Sequence, residues 1–338
     1  MYPKNANIVH SEIERLLKEK AGPDTPGMIC GIIYNGSIVY ISGIGLADPE
    51  RKIPVNTFTN FRIASVSKQF TATGIMILKE RGMLDYEDTL GDIFPDFPGD
   101  GKKITVRHLL THTSGIIDYE DFDEEPGKDF LTDKDVLEIV ENHPELQFEP
   151  GSRHKYSNTG YALLALIIEN ISGLTFPAFM EQNIFVPLGM KNSLVHIEDE
   201  TQIPNRAFGY VKDEHGFTRR DQGRTTTVLG DGGVYTSITD FAKWDNALYE
   251  GKPATLKTLE EAWTPMRLND GTITDYGFGW RIKTLRDRKI LWHDGLTCGF
   301  NSGVRRVPEE HLTLMAFSNF RGKEARRTAD EILELMLK

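Results

Sequence analysis

Strand-like segments occupy both ends of this 338-residue chain and enclose a long middle with a helical pattern. Near the start, residues 28–45 are rich in Ile on either side of Asn35-Gly36, a pair that tolerates the positive φ angles of a tight hairpin turn. Near the end, strand-like runs follow one another at residues 276–282, 289–292, 296–300, 303–307 and 312–318. Because a sheet must bury its apolar face in a core, we expect strands from both ends to complete one sheet.

This arrangement predicts a mixed α/β (α+β) fold, with an antiparallel sheet, flanking helices and an inserted all-helical region. We expect a discontinuous sheet domain over residues 6–62 and 232–338, a mainly helical domain over residues 63–231, and an active site in the cleft between them. Helices are predicted at residues 1–20, 65–82 and 324–337 from their apolar spacing. Ser237 and Asp240 have the spacing of a capping box at the start of a further helix.

The charge and the longest apolar runs exclude several classes of partner. A net charge of −11 without clusters of Lys and Arg argues against nucleic acid or an anionic membrane. Apolar runs such as residues 161–168 are too short to span a bilayer. The polar first 20 residues and two distant cysteines predict a cytoplasmic protein. If an export signal has been removed from the sequence, a periplasmic or secreted protein is expected instead.

A serine and a lysine one helical turn apart form the first candidate catalytic motif. Ser65-Val66-Ser67-Lys68 is an S-x-x-K motif, in which the amine is placed to take the hydroxyl proton. Residues 152–155 match the same pattern, but they come directly after a Pro-Gly turn, whereas Ser65 is the first residue of a predicted amphipathic helix. Without further support, Ser65 would be an ordinary helix N-terminal serine.

Two further motifs follow in the chain. Tyr156-Ser157-Asn158 is the only Y-x-N sequence, and by itself it is typical of a turn before a helix. His293-Asp294-Gly295 lies between two strand-like runs and by itself reads as a plain turn. Each motif is weak by itself, but their order along the chain after Ser65 makes the set of three specific.

The three motifs in this order resemble the serine β-lactamases and penicillin-binding DD-peptidases, whose signatures are S-x-x-K, Y-x-N or S-x-N, and a K-T-G-like triplet. The Y-x-N form is similar to the class C branch, with its esterases and D-aminopeptidases. The resemblance covers about residues 10–335 and implies a β-lactamase/transpeptidase-like fold. It includes further sequence motifs typical of the family: F-R-I-A-S at 61–65, L-L-T-H-T-S-G at 109–115, E-P-G at 149–151 and P-L-G-M at 187–190.

The resemblance implies a role for each matching residue. Ser65 is expected to attack an acyl carbonyl and form an acyl-enzyme, with Lys68 and Tyr156 as the proton-transfer pair. Asn158 is expected to position the substrate and the lysine. The backbone N–H groups of Ser65 and Leu296 are expected to meet the oxyanion, an interaction commonly worth about 3 kcal/mol per donor. No metal and no organic cofactor is implied.

The third motif departs from the family pattern because His293 stands where K-T-G has a lysine. An unperturbed histidine is mostly neutral at pH 7, so we expect weaker anchoring of a substrate carboxylate. Together with Gly295 and Leu296, His293 is assigned to substrate binding. H-x-G forms resemble D-aminopeptidases and β-lactamase-like esterases, so we expect small esters, D-amino-acyl amides or short peptides as substrates, with weak β-lactam hydrolysis at most. A β-lactamase or DD-peptidase proper and a non-turnover penicillin sensor or scaffold are the alternatives.

Other catalytic classes have weaker support in the sequence. His108 and His112 have the i, i+4 spacing of a zinc helix, but Leu109 stands where a zinc protease needs its glutamate. Cys298, with His293 nearby in sequence, is a rival nucleophile, although strand cysteines are usually packing residues. The G-x-S-x-G elbow of α/β-hydrolases and the G-x-x-x-x-G-K-[ST] phosphate loop do not occur.

Overall fold

In the computed structural model of the chain, residues 6–122, 128–198 and 200–338 are described, residues 6–8 as backbone only. Residues 1–5 of the first predicted helix therefore lie outside the described residues. Within the described ranges, no single helix is long and apolar enough to cross a membrane. The helices over residues 159–172 and 176–185 reach that length and hydropathy only together, across a 77° bend, and the first of them is buried in the core.

The helices and strands alternate in clusters along the chain. The α-helices are α1 (Ala6–Lys20), α2 (Lys68–Glu80), α3 (Leu90–Ile93), α4 (Val106–Leu110), α5 (Asp133–Asn142), α6 (Thr159–Ser172), α7 (Phe176–Met180), α8 (Ile238–Glu250), α9 (Leu256–Ala262) and α10 (Glu324–Met336). Short 3₁₀ turns cover Ala64–Ser67, Gly101–Lys103, Tyr119–Phe122 and Pro308–Glu310, and a π-helical turn covers Glu181–Phe185. The strands are β1 (Met28–Tyr34), β2 (Ser37–Ile44), β3 (Leu46–Asp48), β4 (Ile53–Pro54), β5 (Phe61–Arg62), β6 (Leu194–Val195), β7 (Tyr210–Asp213), β8 (Gly216–Arg219), β9 (Val234–Thr236), β10 (Arg281–Leu285), β11 (Arg288–Thr297), β12 (Phe300–Val307) and β13 (Leu312–Ser318).

The predicted hairpin at the start of the chain is confirmed. Asn35 and Gly36 connect β1 to β2 with φ angles of +48° and +74°, the left-handed pair of a type I′ turn. Tyr34 pairs with Ser37, so the loop has the two residues that this turn type requires.

Strands from both ends of the chain form one six-stranded antiparallel sheet. Its strand order is β10-β11-β12-β13-β1-β2, and β1 pairs with β13 from Met28 opposite Ser318 to Tyr34 opposite Leu312. The expected antiparallel sheet completed by the two ends of the chain is therefore confirmed. The division into domains at residues 62/63 and 231/232 stays a prediction.

Both faces of the sheet are buried, because successive side chains of a strand point to opposite faces. On one face, Ile32 packs in a cluster with Ile13 of α1 and Leu333 of α10. On the other face, Ile29 belongs to the main core with Phe241 of α8. The sheet is thus a middle layer between helices, and the second face adjoins the helical region.

Helix α6 is the centre of the helical region. Its residues from Thr159 to Ile168 are all buried, as expected for a helix that is apolar on every side. Helix α2 packs directly on it: a Cβ added at Gly74 would lie 2.7 Å from Ile168 Cδ1. The helix that follows Ser65 therefore rests on the most buried element of this region.

Two expectations about strands near the end of the chain are wrong in detail. The strand expected at residues 276–282 begins only at Arg281, because Gly279 (φ +75°) turns the chain first. The runs at 289–292 and 296–300 are not two separate strands, since β11 continues through Asp294 and Gly295 to Thr297, and Phe300 already begins β12. Gly295 has no positive φ angle, so it serves close packing within a strand and not a turn.

The inserted region also differs from a purely helical one. It contains β6, which pairs with β9 in a small sheet with β5, and the hairpin of β7 and β8. The helix expected from Ser65 begins with a 3₁₀ turn and becomes α-helical at Lys68. The predicted cap of α8 is present, with the Ser237 side chain accepting from Asp240 N.

Candidate active site

Ser65 lies in the 3₁₀ turn that leads into α2. Ala64 immediately before it has a φ of +48°, a left-handed conformation that costs a non-glycine residue about 1–2 kcal/mol. The turn is tied to β9 at two points: Ile63 N donates to Val234 O at 3.1 Å, and Ser67 Oγ accepts from Val234 N at 3.1 Å. A strained backbone that is anchored on both sides therefore presents Ser65 to the cleft.

Lys68 is fully buried one turn beyond Ser65. Its Nζ lies 3.2 Å from Ser65 Oγ, 2.7 Å from Asn158 Oδ1 and 2.9 Å from the carbonyl oxygen of Asp231. These three partners satisfy the three N–H donors of an ammonium group. If the amine is neutral, the same contact with Ser65 lets it accept the hydroxyl proton.

The Y-x-N turn brings its two side chains to the same lysine. The Lys68 Nζ lies 5.1 Å from the centroid of the Tyr156 ring, and Asn158 accepts its hydrogen bond at the start of α6. The backbone N–H of Asn158 donates to Asp118 Oδ2 at 3.0 Å, which fixes the turn. The buried Tyr156 hydroxyl has no hydrogen-bond partner within the described ranges.

Strand β11 forms the opposite wall of the site. A Cβ at Gly295 would lie 2.1 Å from the carbonyl oxygen of Ile63 and 2.3 Å from Ser302 Oγ, so only glycine lets this strand approach the Ser65 turn. Leu296 follows on the same strand, and both residues line the cleft with Ser65. The close approach puts the β11 backbone beside the Ser65 turn, where its N–H groups can serve as hydrogen-bond donors to a bound carbonyl oxygen.

His293 lines the cleft as a neutral ring. Its Nδ1 lies 2.7 Å from the carbonyl oxygen of Asp294, which only accepts, so Nδ1 carries the hydrogen. Its Nε2 then accepts from the Tyr276 hydroxyl at 2.9 Å. Burial, and then the positive charge of Lys68, lower the pKa of His293 to about 3. His293 therefore supplies no positive charge where the family triplet has a lysine.

The cleft has a volume of about 420 Å³ and carries charges of both signs. The Arg281 guanidinium stacks 5.4 Å from the Tyr156 ring centroid, and its Nη1 lies 3.3 Å from Asp275 Oδ2. Glu120 lines the cleft as well. The residue as a whole is exposed, but desolvation of its carboxyl group, and then the nearby Asp231 and Asp118 carboxylates, raise the pKa of Glu120. The cleft thus offers a cation beside Tyr156 and a carboxyl group for polar substrates.

The second S-x-x-K match does not form a similar pair. Ser152 is exposed and its Oγ donates to the carbonyl oxygen of Glu149 at 2.6 Å, while Lys155 Nζ donates to Gln147 Oε1 at 2.7 Å. Partial burial raises the pKa of the Cys298 thiol, which disfavours the thiolate that a nucleophile needs.

The two histidines of the zinc spacing both have backbone partners. His108 Nδ1 accepts from Thr105 N at 3.2 Å, and His112 Nδ1 accepts from Ser157 N at 3.3 Å. Among the described residues, no group of three or more His, Cys, Asp or Glu side chains is placed to hold a metal ion.

Sequence reasoning missed several residues of the site, Glu120 among them. Asp231 accepts from Lys68 through its carbonyl and from the Tyr119 hydroxyl (3.0 Å) through its carboxylate. Tyr276 fixes the ring of His293, and Arg281 stacks on Tyr156. The sequence Gly230-Asp231-Gly232-Gly233 is typical of a turn, but no local pattern marks Tyr276 or Arg281 as site residues.

Comparison with known proteins agrees with this geometry. The family model described as Beta-lactamase matches residues 13–337. Penicillin-binding protein 4* of Bacillus subtilis (strain 168) is 36% identical over 299 residues, which are 84% of this chain and 66% of that protein. A D-aminopeptidase of Gluconobacter oxydans (strain 621H) is 26% identical over 87% of this chain and 56% of its own length.

The chain thus spans about two thirds or less of the length of these two relatives. Among solved structures, D-amino acid amidase from Ochrobactrum anthropi SV3 complexed with L-phenylalanine superposes with a TM-score of 0.82 and 26% identity, over 97% of both chains. The fold, the three motifs and the family match lead to one conclusion. The chain is a member of the beta-lactamase family.

Proposed function

We propose that the protein is a serine hydrolase that cleaves small amides or esters through an acyl-enzyme on Ser65. The observation that carries the proposal is the position of Lys68, whose Nζ lies 3.2 Å from Ser65 Oγ while Asn158 and Asp231 hold it from other sides. A lysine buried and fixed in this way is placed for proton transfer and not for solubility.

In the first half of the reaction, Ser65 Oγ attacks the substrate carbonyl and its proton passes to the Lys68 and Tyr156 pair. The backbone N–H groups of Ser65 and Leu296 bind the oxyanion. When the tetrahedral intermediate collapses, the bond to the leaving group breaks and the leaving group takes the proton from Tyr156. The acyl group remains as an ester on Ser65.

In the second half, a water molecule attacks the Ser65 ester and gives its proton to the same pair. The bond between Oγ and the acyl carbon breaks, Ser65 regains its proton, and the carboxylic acid leaves. Every proton is returned, so the cycle needs no cofactor.

We place D-amino-acyl amides, short peptides and small esters ahead of β-lactams as substrates. Relatives named D-aminopeptidase and D-amino acid amidase support this choice. The neutral His293 offers no charge for a β-lactam carboxylate, whereas Glu120 offers a carboxyl group for a substrate amine. A β-lactamase proper would need another cation, and Arg281 lies in the cleft beside Tyr156.

The proposal is tested by hydrolysis of p-nitrophenyl butyrate and of the D- and L-alanine p-nitroanilides. Wild type is compared with Ser65→Ala, and Ser152→Ala serves as the matched control because it alters the other S-x-x-K motif. We expect turnover by wild type and Ser152→Ala, a preference for the D-anilide, and loss of turnover in folded Ser65→Ala. Turnover that survives Ser65→Ala, or a single acylation without turnover, would overturn the proposal.

A further inference from the structure

His112 lies directly behind Tyr156 and has no part in the mechanism described above. It follows helix α4, and it is 2% exposed. Its backbone has a φ of +57°, a left-handed conformation that is rare for a residue with a side chain. Strained residues of this kind persist only where the surrounding structure holds them, and they cluster at functional sites.

Three contacts join His112 to the Y-x-N turn. The rings of His112 and Tyr156 lie face to face at a tilt of 39°, with centroids 4.3 Å apart. The backbone N–H of Ser157 donates to Nδ1 of His112 at 3.3 Å. The backbone N–H of Lys155 donates to the carbonyl oxygen of His112 at 3.0 Å. His112 therefore holds the backbone on both sides of Tyr156 and packs against its ring.

Tyr156 depends on such contacts because its hydroxyl does not hold it. Within the described ranges that oxygen is buried without a hydrogen-bond partner. The direction of the phenol is then set by the backbone of residues 155–157 and by packing around the ring. A displacement of about 1 Å in a reacting group can lower a rate by about 100-fold.

The ionisation state of His112 suits this task. Burial, and then the charge of Lys68, hold the pKa of His112 well below its usual range, so the ring stays neutral. Neutral imidazole has one nitrogen with a lone pair, and Nδ1 uses it to accept from Ser157. A protonated ring would lose this acceptor.

We propose that His112 is a positioning residue for Tyr156, which it holds through its ring, its Nδ1 acceptor and its own carbonyl group. The inference rests on the proposed function, since it assigns a role in the proton transfer of that reaction.

Two variants separate the ring from the acceptor. His112→Phe keeps an aromatic ring against Tyr156 but removes the acceptor for Ser157. His112→Asn removes the ring but keeps a side-chain oxygen that accepts, and asparagine tolerates the positive φ. The matched control is His154→Phe. His154 belongs to the same histidine and tyrosine layer, 6.1 Å from His112, but makes no ring contact with Tyr156 in the described part of the chain.

The experiment measures kcat and KM for p-nitrophenyl butyrate together with thermal unfolding of every variant. We expect His112→Phe to lower kcat by 10- to 100-fold with KM changed less than two-fold. His112→Asn should retain more of the wild-type kcat than His112→Phe, although its unfolding temperature falls further. His154→Phe should keep the wild-type kcat.

Other results would overturn the inference. A wild-type kcat in folded His112→Phe, an equal loss in His154→Phe, or losses of kcat that follow only the unfolding temperature would assign His112 a merely structural role. Failure of the proposed function is a different result, because then wild type itself shows no turnover that depends on Ser65.

Discussion

At the scale of single residues, His293 is uncharged because burial, and then the positive charge of Lys68, lower the pKa of its ring. The unfolded chain binds a proton at this histidine near pH 6.5, but the folded protein binds it only near pH 3. Because the unfolded state then binds more protons, this contribution to stability is present at neutral pH and is lost as the pH falls from 6.5 to 3.

We therefore expect His293→Gln to make stability less sensitive to acid. Between pH 7 and pH 4.5 the variant should lose roughly 2–3 kcal/mol less of its unfolding free energy than wild type does. Urea unfolding at the two pH values measures this difference. His215→Gln, at a side chain 85% exposed, is the control and should behave as wild type. An equal loss in His293→Gln would contradict the assignment of a buried neutral ring.

We expect Arg281 to bind a negative charge on the leaving group of the substrate. It stacks on Tyr156, which protonates that group in the proposed reaction, and one of its nitrogens contacts Asp275. Arg281→Gln should raise KM by about ten-fold for 3-carboxyphenyl butyrate and leave KM for the neutral 3-carbamoylphenyl ester nearly unchanged.

Arg326→Gln is the matched control for this prediction, because Arg326 also lines the cleft but lies on α10. It should keep the wild-type KM for both esters. If Arg281→Gln raises KM equally for both esters, Arg281 acts through Tyr156 and does not bind the carboxylate of the leaving group. If only Arg326→Gln responds to the carboxylate, the anion is bound elsewhere in the cleft.

At the scale of elements, the contact between β11 and the Ser65 turn depends on Gly295. A Cβ there would lie 2.1 Å from the Ile63 carbonyl oxygen. We expect Gly295→Ala to move the strand away, lower kcat/KM at least 100-fold and cost about 1–3 kcal/mol of stability. Gly22→Ala, whose nearest contact would be an ordinary 3.4 Å, should leave both unchanged. Wild-type activity in Gly295→Ala would show that the close approach is not needed.

Elements with strong local signals could be predicted from the sequence. The Asn35-Gly36 hairpin, the strand at 312–318 and the cap of α8 at Ser237 follow from turn residues, alternation and spacing within a few positions. The break expected between residues 292 and 296 is absent, because Asp294-Gly295, a dipeptide that often marks a turn, makes a close strand contact within β11.

The contact between Ser65 and Lys68 could be predicted for the same reason, since the two residues are only three positions apart in sequence. Other residues reach the site from more than 100 residues beyond Ser65 in sequence: Asp231, Tyr276 and Arg281. Their contacts depend on how distant elements pack together, which no local pattern shows. The usual pKa of histidine also does not show that burial lowers the pKa of His293 and keeps its ring neutral.

At the scale of the whole molecule, the first and last strands meet in the middle of the sheet. Phe317 of β13 pairs with Ile29 of β1 and is fully buried against Phe241 of α8. We expect Phe317→Ala to lower the unfolding free energy by about 3–5 kcal/mol in a single transition, because both ends of the chain share this core.

Urea unfolding followed by circular dichroism and by tryptophan fluorescence tests that expectation. Leu256→Ala, at a residue 55% exposed, is the control and should cost little. A loss below 1 kcal/mol in Phe317→Ala, or two separate transitions, would show that the ends of the chain do not form one cooperative unit.

The measurement that tests the central claim most directly is the location of the covalent acyl group. The protein is mixed with p-nitrophenyl butyrate, quenched in acid within the first turnover, digested and analysed by mass spectrometry. We predict one butyryl group on the peptide that contains Ser65, present in wild type and Ser152→Ala and absent in Ser65→Ala. A butyryl group on Ser152 or Cys298 instead, or label retained in Ser65→Ala, would contradict the assignment of Ser65 as the nucleophile.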